Sequence, residues 1–306
     1  MTATAADVVR CATWSRQEGL DPIGTAGWYQ GFLLVELPLP WPADVNEHPE
    51  VAQLSSLLDG RGLRVQALVP AGGPRQVVLY RRGLGAGSVL ARYEGVVRPG
   101  VPLPDVVAAL LDGGGTSCDG PLRDVLVCTH GRRDICCGSM GTALALQLKA
   151  RWPGEKVRLW RTSHTGGHRF APNVMVLPEA TLWGYADADL VEWVLDRRGD
   201  PAGLTSRYRG CATLGSPAVQ ALEREVLRRV GWGLLDRPRR GEELGGGRVR
   251  LVVEAAGGPD EVWEARVLPG RHLPAPDCGR PLAEAHKTQT ELVVTGLAVD
   301  PRNVAP

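Results

Sequence analysis

The sequence predicts an α/β protein in which one order of elements, β-α-β-β-β-α, runs through twice and is followed by an α+β segment. Three observations predict this. Apolar runs of strand length recur between turn residues. Stretches with helical periodicity fall at matching places in two successive units of roughly 80 residues. Beyond about residue 199 the pattern changes to one long helix and alternating strands.

In the first unit, FLLVEL at 32–37 reads as a strand, an apolar run stopped by Pro38. Residues 49–59 read as a helix with Val51, Leu54, Leu57 and Leu58 on one face. Strands are expected at 63–69, 76–81 and 88–94, then a helix at 104–112 with Pro104 in its first turn. GLGAG at 83–87 imitates a nucleotide-binding loop, but no helix follows, so it reads as a hairpin turn. LDGGGTSCDG at 111–120 is linker-like in composition.

The second unit repeats the order. DVLVC at 124–128 reads as a strand, and 139–151 as a helix carrying Leu144, Leu146 and Leu148. Strands follow at 157–162, 173–178 and 181–185, and a helix at 187–197 opens with acidic residues that suit its positive end. The last third opens on a helix capped by Ser216, with Pro217 in its first position and Val219, Leu222, Val226 and Val230 facing inward. Alternation at 248–254 and again at 261–267 predicts a hairpin across Gly257–Asp260, and 291–299 adds a strand. The expected organisation is therefore 1–115, 120–198 and 199–306. The first unit has no Cys or His where the second has its cluster, and serves as a scaffold.

Composition bounds the function. Hydrophobic content of 43% and charged content of 23% are those of a globular protein. Lys plus Arg is 35 against 34 for Asp plus Glu, so no net field favours nucleic acid or an anionic membrane. Arg237, Arg239 and Arg240, followed at once by Glu242 and Glu243, read as solvated surface. Neither a secretory leader nor a membrane-length apolar run is visible, and a cytoplasmic location is the expectation. The seven cysteines then need not be disulfides. Cys128, Cys136 and Cys137 cluster, whereas Cys11, Cys118, Cys211 and Cys278 are scattered and read as buried thiols.

The chemistry lies in CTHGRRDICCG at 128–138 and SHTGGHRFAPN at 163–173. A strand-end loop with Cys128 and Cys137 can converge on a neighbouring loop with His164 and His168. Thiolate and neutral imidazole together suit iron or zinc. Gly166 and Gly167 allow a tight turn that brings backbone N–H groups close to such a centre. Cys136 competes with its neighbour Cys137 as ligand, and His130 reads as a solvent-facing or supporting group. Arg132, Arg133 and Asp134 are polar loop residues, the arginines able to attract an anionic partner.

These two blocks, with the weaker GTAGWYQGFLLVELPLPW at 24–41, resemble the sucrase/ferredoxin-like proteins, which belong with the thioredoxin-like 2Fe–2S ferredoxins. The resemblance spans about residues 10–200. It implies a thioredoxin-like domain, with the first unit as a tandem counterpart, and a cis bond before Pro172. It implies a 2Fe–2S cluster held by a Cys–x8–Cys pair and a His–x3–His pair, which fall on Cys128, Cys137, His164 and His168. It implies redox or electron-transfer work with a redox protein or a small-molecule electron acceptor as partner; whether the protein is a carrier or an enzyme stays open. Two other readings stand beside it. One is a structural zinc site on the same residues. The other is a thiol oxidoreductase using Cys136 and Cys137, which lack the Cys–x–x–Cys spacing of such enzymes.

Overall fold

A computed structural model describes residues 8–83, 88–114, 116–117, 122–152, 157–255 and 258–299. The chain opens with β1 (Val8–Val9) and the short α1 (Cys11–Gln17). The first unit comprises β2 (Gly31–Glu36), α2 (Pro49–Ala52), α3 (Ser55–Leu58), β3 (Leu63–Leu68), β4 (Arg75–Arg82), β5 (Leu90–Val97) and α4 (Leu103–Leu111). After β6 (Thr116–Ser117) the second unit runs β7 (Arg123–Cys128), α5 (Thr142–Arg151), β8 (Val157–Thr162), β9 (Val174–Leu177), β10 (Thr181–Trp183) and α6 (Ala188–Asp196). The remainder comprises β11 (Tyr208–Cys211), α7 (Pro217–Val230), β12 (Arg239–Gly245), β13 (Arg248–Val253), β14 (Glu261–Pro274), β15 (Arg280–Pro281) and β16 (Thr288–Val299).

The strands of both units join one 10-stranded sheet, ordered β11-β10-β9-β7-β8-β3-β2-β4-β5-β6. Each unit pairs its first two strands parallel and its later strands antiparallel, β2 with β3 and β4, β7 with β8 and β9. The two halves meet where β3 pairs β8 antiparallel at Leu68 and Thr162. Central strands carry continuous apolar runs because both faces are covered. On β2, Phe32 and Leu34 face one core while Leu33 and Val35 face the other, where they meet Val107 and Leu110 of α4. A separate four-stranded sheet, β12-β13-β14-β16, packs its Val249, Leu251 and Val253 against Val219, Leu222 and Val226 of α7. That alternation is what a sheet with one buried face requires.

The structure corrects the sequence reading in several places. The helix expected at 49–59 is two single turns, α2 and α3, and α3 has no side-chain cap. On α5, Leu144 and Leu148 are buried but Leu146 is exposed; on α7, Val230 is exposed at the C-terminal end. Arg239 is not solvated surface. It is fully buried in an ion pair with Glu223, 2.5 Å away, and Glu223 also accepts from the Tyr208 hydroxyl (2.9 Å). The spacing of arginines along a strand could not disclose a carboxylate 16 positions away on a packed helix. In the linker-like stretch, Thr116 and Ser117 pair with β5, while Cys118 lies outside the described residues. The strands flanking GLGAG pair antiparallel with Arg82 opposite Leu90, but 84–87 themselves lie outside the described residues. No helix among the described residues is long and apolar enough to cross a membrane.

Candidate metal centre

Cys128 closes β7, its N–H donating to the Asn173 carbonyl (3.0 Å). The chain then turns through 129–136 and re-enters helix as a π-helical turn, Cys137–Gly141. Asp134 sets the start of that turn, Oδ1 accepting the Cys137 N–H at 3.0 Å. Gly141 is packed so closely on the strand end that a Cβ there would run into the Cys128 carbonyl oxygen. A residue without a side chain is what lets the helix approach so closely. The result is that Cys128 and Cys137 sit side by side, both fully buried, with ligand atoms of Cys128, Cys137 and His164 within 4.8 Å of one another.

The electrostatics follow from that contact. The Cys137 thiol donates to the Cys128 sulfur, which takes the Cys128 pKa well below the ordinary thiol value despite burial. Cys137 is raised, as the donor and as a buried thiol.

The histidine loop leaves β8 and is held from behind by Arg209. Gly166 and Gly167 take positive φ, 84° and 62°, and a Cβ on Gly167 would run into the Arg209 guanidinium. Arg209 is fully buried and donates to the Gly166 carbonyl (3.0 Å), Asn173 Oδ1 (3.0 Å), Thr25 Oγ1 (3.0 Å) and the Thr25 carbonyl. Burial lowers its pKa to about 10. Every one of those acceptors is neutral. His164 is set by two further contacts: its N–H donates to His130 Nδ1 (3.3 Å), and Arg64 donates to its carbonyl. His130, expected at the solvent or beside the site, is buried against Trp41, ring centroids 5.6 Å apart and nearly perpendicular. Burial lowers its pKa. Beside His164 a cleft of about 310 Å³, lined by Tyr29, Asp44, Arg64, His130 and Arg133, opens to solvent.

Of the four expected ligands the structure gathers Cys128, Cys137 and His164 and sets His168 to one side. The two imidazole centroids are 6.1 Å apart. His168 Nδ1 lies 3.1 Å from Asp134 Oδ2 and 3.3 Å from Cys11 Sγ, while Nε2 lies 3.8 Å from Asp277. Burial works to raise the Asp134 pKa, but the His168 contact and the Cys137 N–H outweigh it and hold the carboxyl at about 2. Cys136 faces away from the other three, towards Cys11 and Cys278, so the adjacent thiols of Cys136 and Cys137 belong to different groups. The Ala171–Pro172 bond is cis.

Arg209 and the Cys11–Cys278 contact had no signal in the sequence, because their partners are distant along the chain, whereas Asp134 lies three positions before the Cys137 N–H it accepts and could have been read as its cap. Cys11 and Cys278 read as scattered thiols, yet 267 positions apart their sulfurs touch.

The profile of the sucrase/ferredoxin-like family matches residues 22–210, well over half of the chain. The chain belongs to that family. The matched stretch of this sucrase/ferredoxin-like protein contains all four expected ligands and Arg209, and stops just before the α7 segment. Among curated proteins it is similar to altered inheritance of mitochondria protein 32 of Meyerozyma guilliermondii, 33% identical over 79 residues. That match covers 24% of this chain and 28% of the yeast protein. No solved structure matches the chain.

Proposed function

We propose that the protein carries one 2Fe–2S cluster held by Cys128, Cys137, His164 and His168 on a thioredoxin-like unit, and that it transfers electrons. The observation that carries the reading is the division of the donors. Two buried thiols stand together at the inner end; of the two partly exposed imidazoles, His164 stands beside them at a cleft open to solvent and His168 lies next to it, ring centroids 6.1 Å apart. A binuclear centre calls for two ligand pairs at its two ends, and mixed ligation by two cysteines and two histidines is one such arrangement. When bound, the cluster would accept and release one electron. The strand order of the second unit, with its first pair parallel and the next antiparallel, supports the thioredoxin-like assignment.

The chain's own residues fit that group. Arg209 is a buried cation whose hydrogen-bond partners are all neutral, so the thiolates of a bound cluster would supply its compensating charge. Asp134 beside His168 Nδ1 holds the imidazole in the way carboxylates orient ligating histidines, while Nε2 faces the exposed Asp277 and would turn from it to reach the cluster. Arg64 and Arg133 line the cleft at His164 and favour an anionic partner surface. Redox partners remain of two kinds in this proposal, a protein or a small-molecule acceptor.

The test is voltammetry of the purified, coloured protein and of His164→Cys and His168→Cys. Each thiolate adds negative charge to the centre, so both variants are expected to have a lower potential. A potential unchanged or raised in both would show that the histidines are not ligands.

A further inference from the structure

Outside the centre described above, a second set of sulfurs meets. Cys11 comes from the start of α1, Cys136 from the loop before the π-helical turn, and Cys278 from the segment between β14 and β15. Cys136 Sγ lies 2.9 Å from Cys278 Sγ, and Cys278 Sγ lies 3.2 Å from Cys11 Sγ. Asp134 Oδ2 is 3.6 Å from Cys11 Sγ. One ligand atom from each of the four residues falls within 4.8 Å of all the others. Cys11 and Cys136 are fully buried, Asp134 nearly so, and Cys278 is half-buried.

We propose that Cys11, Cys136, Cys278 and Asp134 form a second metal site, three thiolates and one carboxylate for one tetrahedral zinc ion, distinct from the Cys128–Cys137 centre.

Three features favour a cation over a disulfide. A disulfide joins two sulfurs and would leave the third thiol and a buried carboxylate packed against it. The backbone already directs N–H groups at the sulfurs, from Cys11 to Cys278 Sγ (3.3 Å) and from Ala12 to Cys136, which stabilises thiolate charge. The spacing also suits zinc. Two sulfurs on tetrahedral zinc stand about 3.8 Å apart, so each need move outward by only about half an ångström. Three thiolates and a carboxylate around the ion carry the same total charge as the four thiolates of an all-cysteine zinc site. Binding releases the thiol protons to solvent.

The site is framed by contacts that do not involve sulfur. β1 pairs with β15, Val9 opposite Arg280, and the Gly279 N–H donates to the Val9 carbonyl (3.0 Å). Cys11 and Cys278 are therefore brought together by backbone before any ion binds. His168 Nδ1 borders the site, 3.1 Å from the same Asp134 oxygen, Oδ2, and 3.3 Å from Cys11 Sγ. Asp134 thus stands between the two centres, capping the Cys137 turn with one oxygen and facing Cys11 with the other. The ion would tie the start of the chain and its last third to the loop that carries Cys137, and so gives the C-terminal segment a task.

Elemental analysis of the full-length protein, purified with zinc present and then dialysed, tests this. The expected result is about one zinc per chain, kept in the Cys128→Ser/Cys137→Ser protein and lost in Cys278→Ser and Cys136→Ser. Zinc-edge X-ray absorption needs no variant: it should show three sulfurs at about 2.3 Å and one oxygen. Zinc retained in Cys278→Ser overturns the proposal, as does a shell of two sulfurs and two nitrogens, which would place the ion at the first centre. So does a native mass two hydrogens lighter, with a peptide linking Cys278 to Cys136 or Cys11.

Discussion

Replacing Arg209 should loosen the histidine loop before it disturbs anything else. The guanidinium spans three segments, residue 25, the 166–167 turn and Asn173, with four hydrogen bonds. Arg209→Met strips the donor from the Thr25 carbonyl, the Gly166 carbonyl and Asn173 Oδ1, and each buried acceptor left unpaired costs about 1–3 kcal/mol. Removing a buried cation offsets part of that, because its desolvation penalty disappears with it. The net loss should be on the order of 3 kcal/mol, roughly 150-fold in the folding equilibrium. Arg209→Lys keeps the charge but not the planar fork, and should lose less. Urea unfolding of the two variants measures the global term. Hydrogen exchange at the amides of 164–168 measures the local one, which should rise in Arg209→Met ahead of exchange in the sheet. An unchanged unfolding midpoint, or loop amides that exchange as in the unmodified protein, would refute the anchoring role.

Three other outcomes are expected. Glu223→Ala leaves Arg239 charged and buried without its partner, and should cost about 3–5 kcal/mol in urea, far more than removing any surface pair. The Asp134 carboxyl is depressed to about 2 in the folded chain, so its contribution is complete above the unfolded value near 4 and is lost as pH falls through 2. In metal-free protein that contribution is about 2 kcal/mol, and Asp134→Asn should flatten the stability curve across this window. If the proposed cluster is bound through the histidines, the oxidised centre would make a ligand imidazole N–H more acidic than the reduced one. Between the two pKa values the potential should then fall by about 59 mV per pH unit, and a potential flat over the whole range would mean no proton couples to the electron.

Much of the fold was written in local pattern. The order of strands and helices in both units, the Ser216 cap of α7 and the one-faced alternation of β13 all follow from interactions between residues close in sequence, and periodicity records those. The closeness of Cys128 and Cys137 was legible for the same reason, since both lie on one loop next to one strand. Tertiary structure decided the rest. Arg239 looked like surface until α7 placed Glu223 on it, and Leu146 looked like core until α5 turned it outward. The family resemblance placed His168 with the thiol pair, but its ring lies against Asp134 and Cys11. Cys11, Cys136 and Cys278 meet only because β1 pairs with β15 and brings both ends of the chain onto one loop. A contact between residues so far apart depends on every fold between them, and no short stretch of sequence encodes that sum.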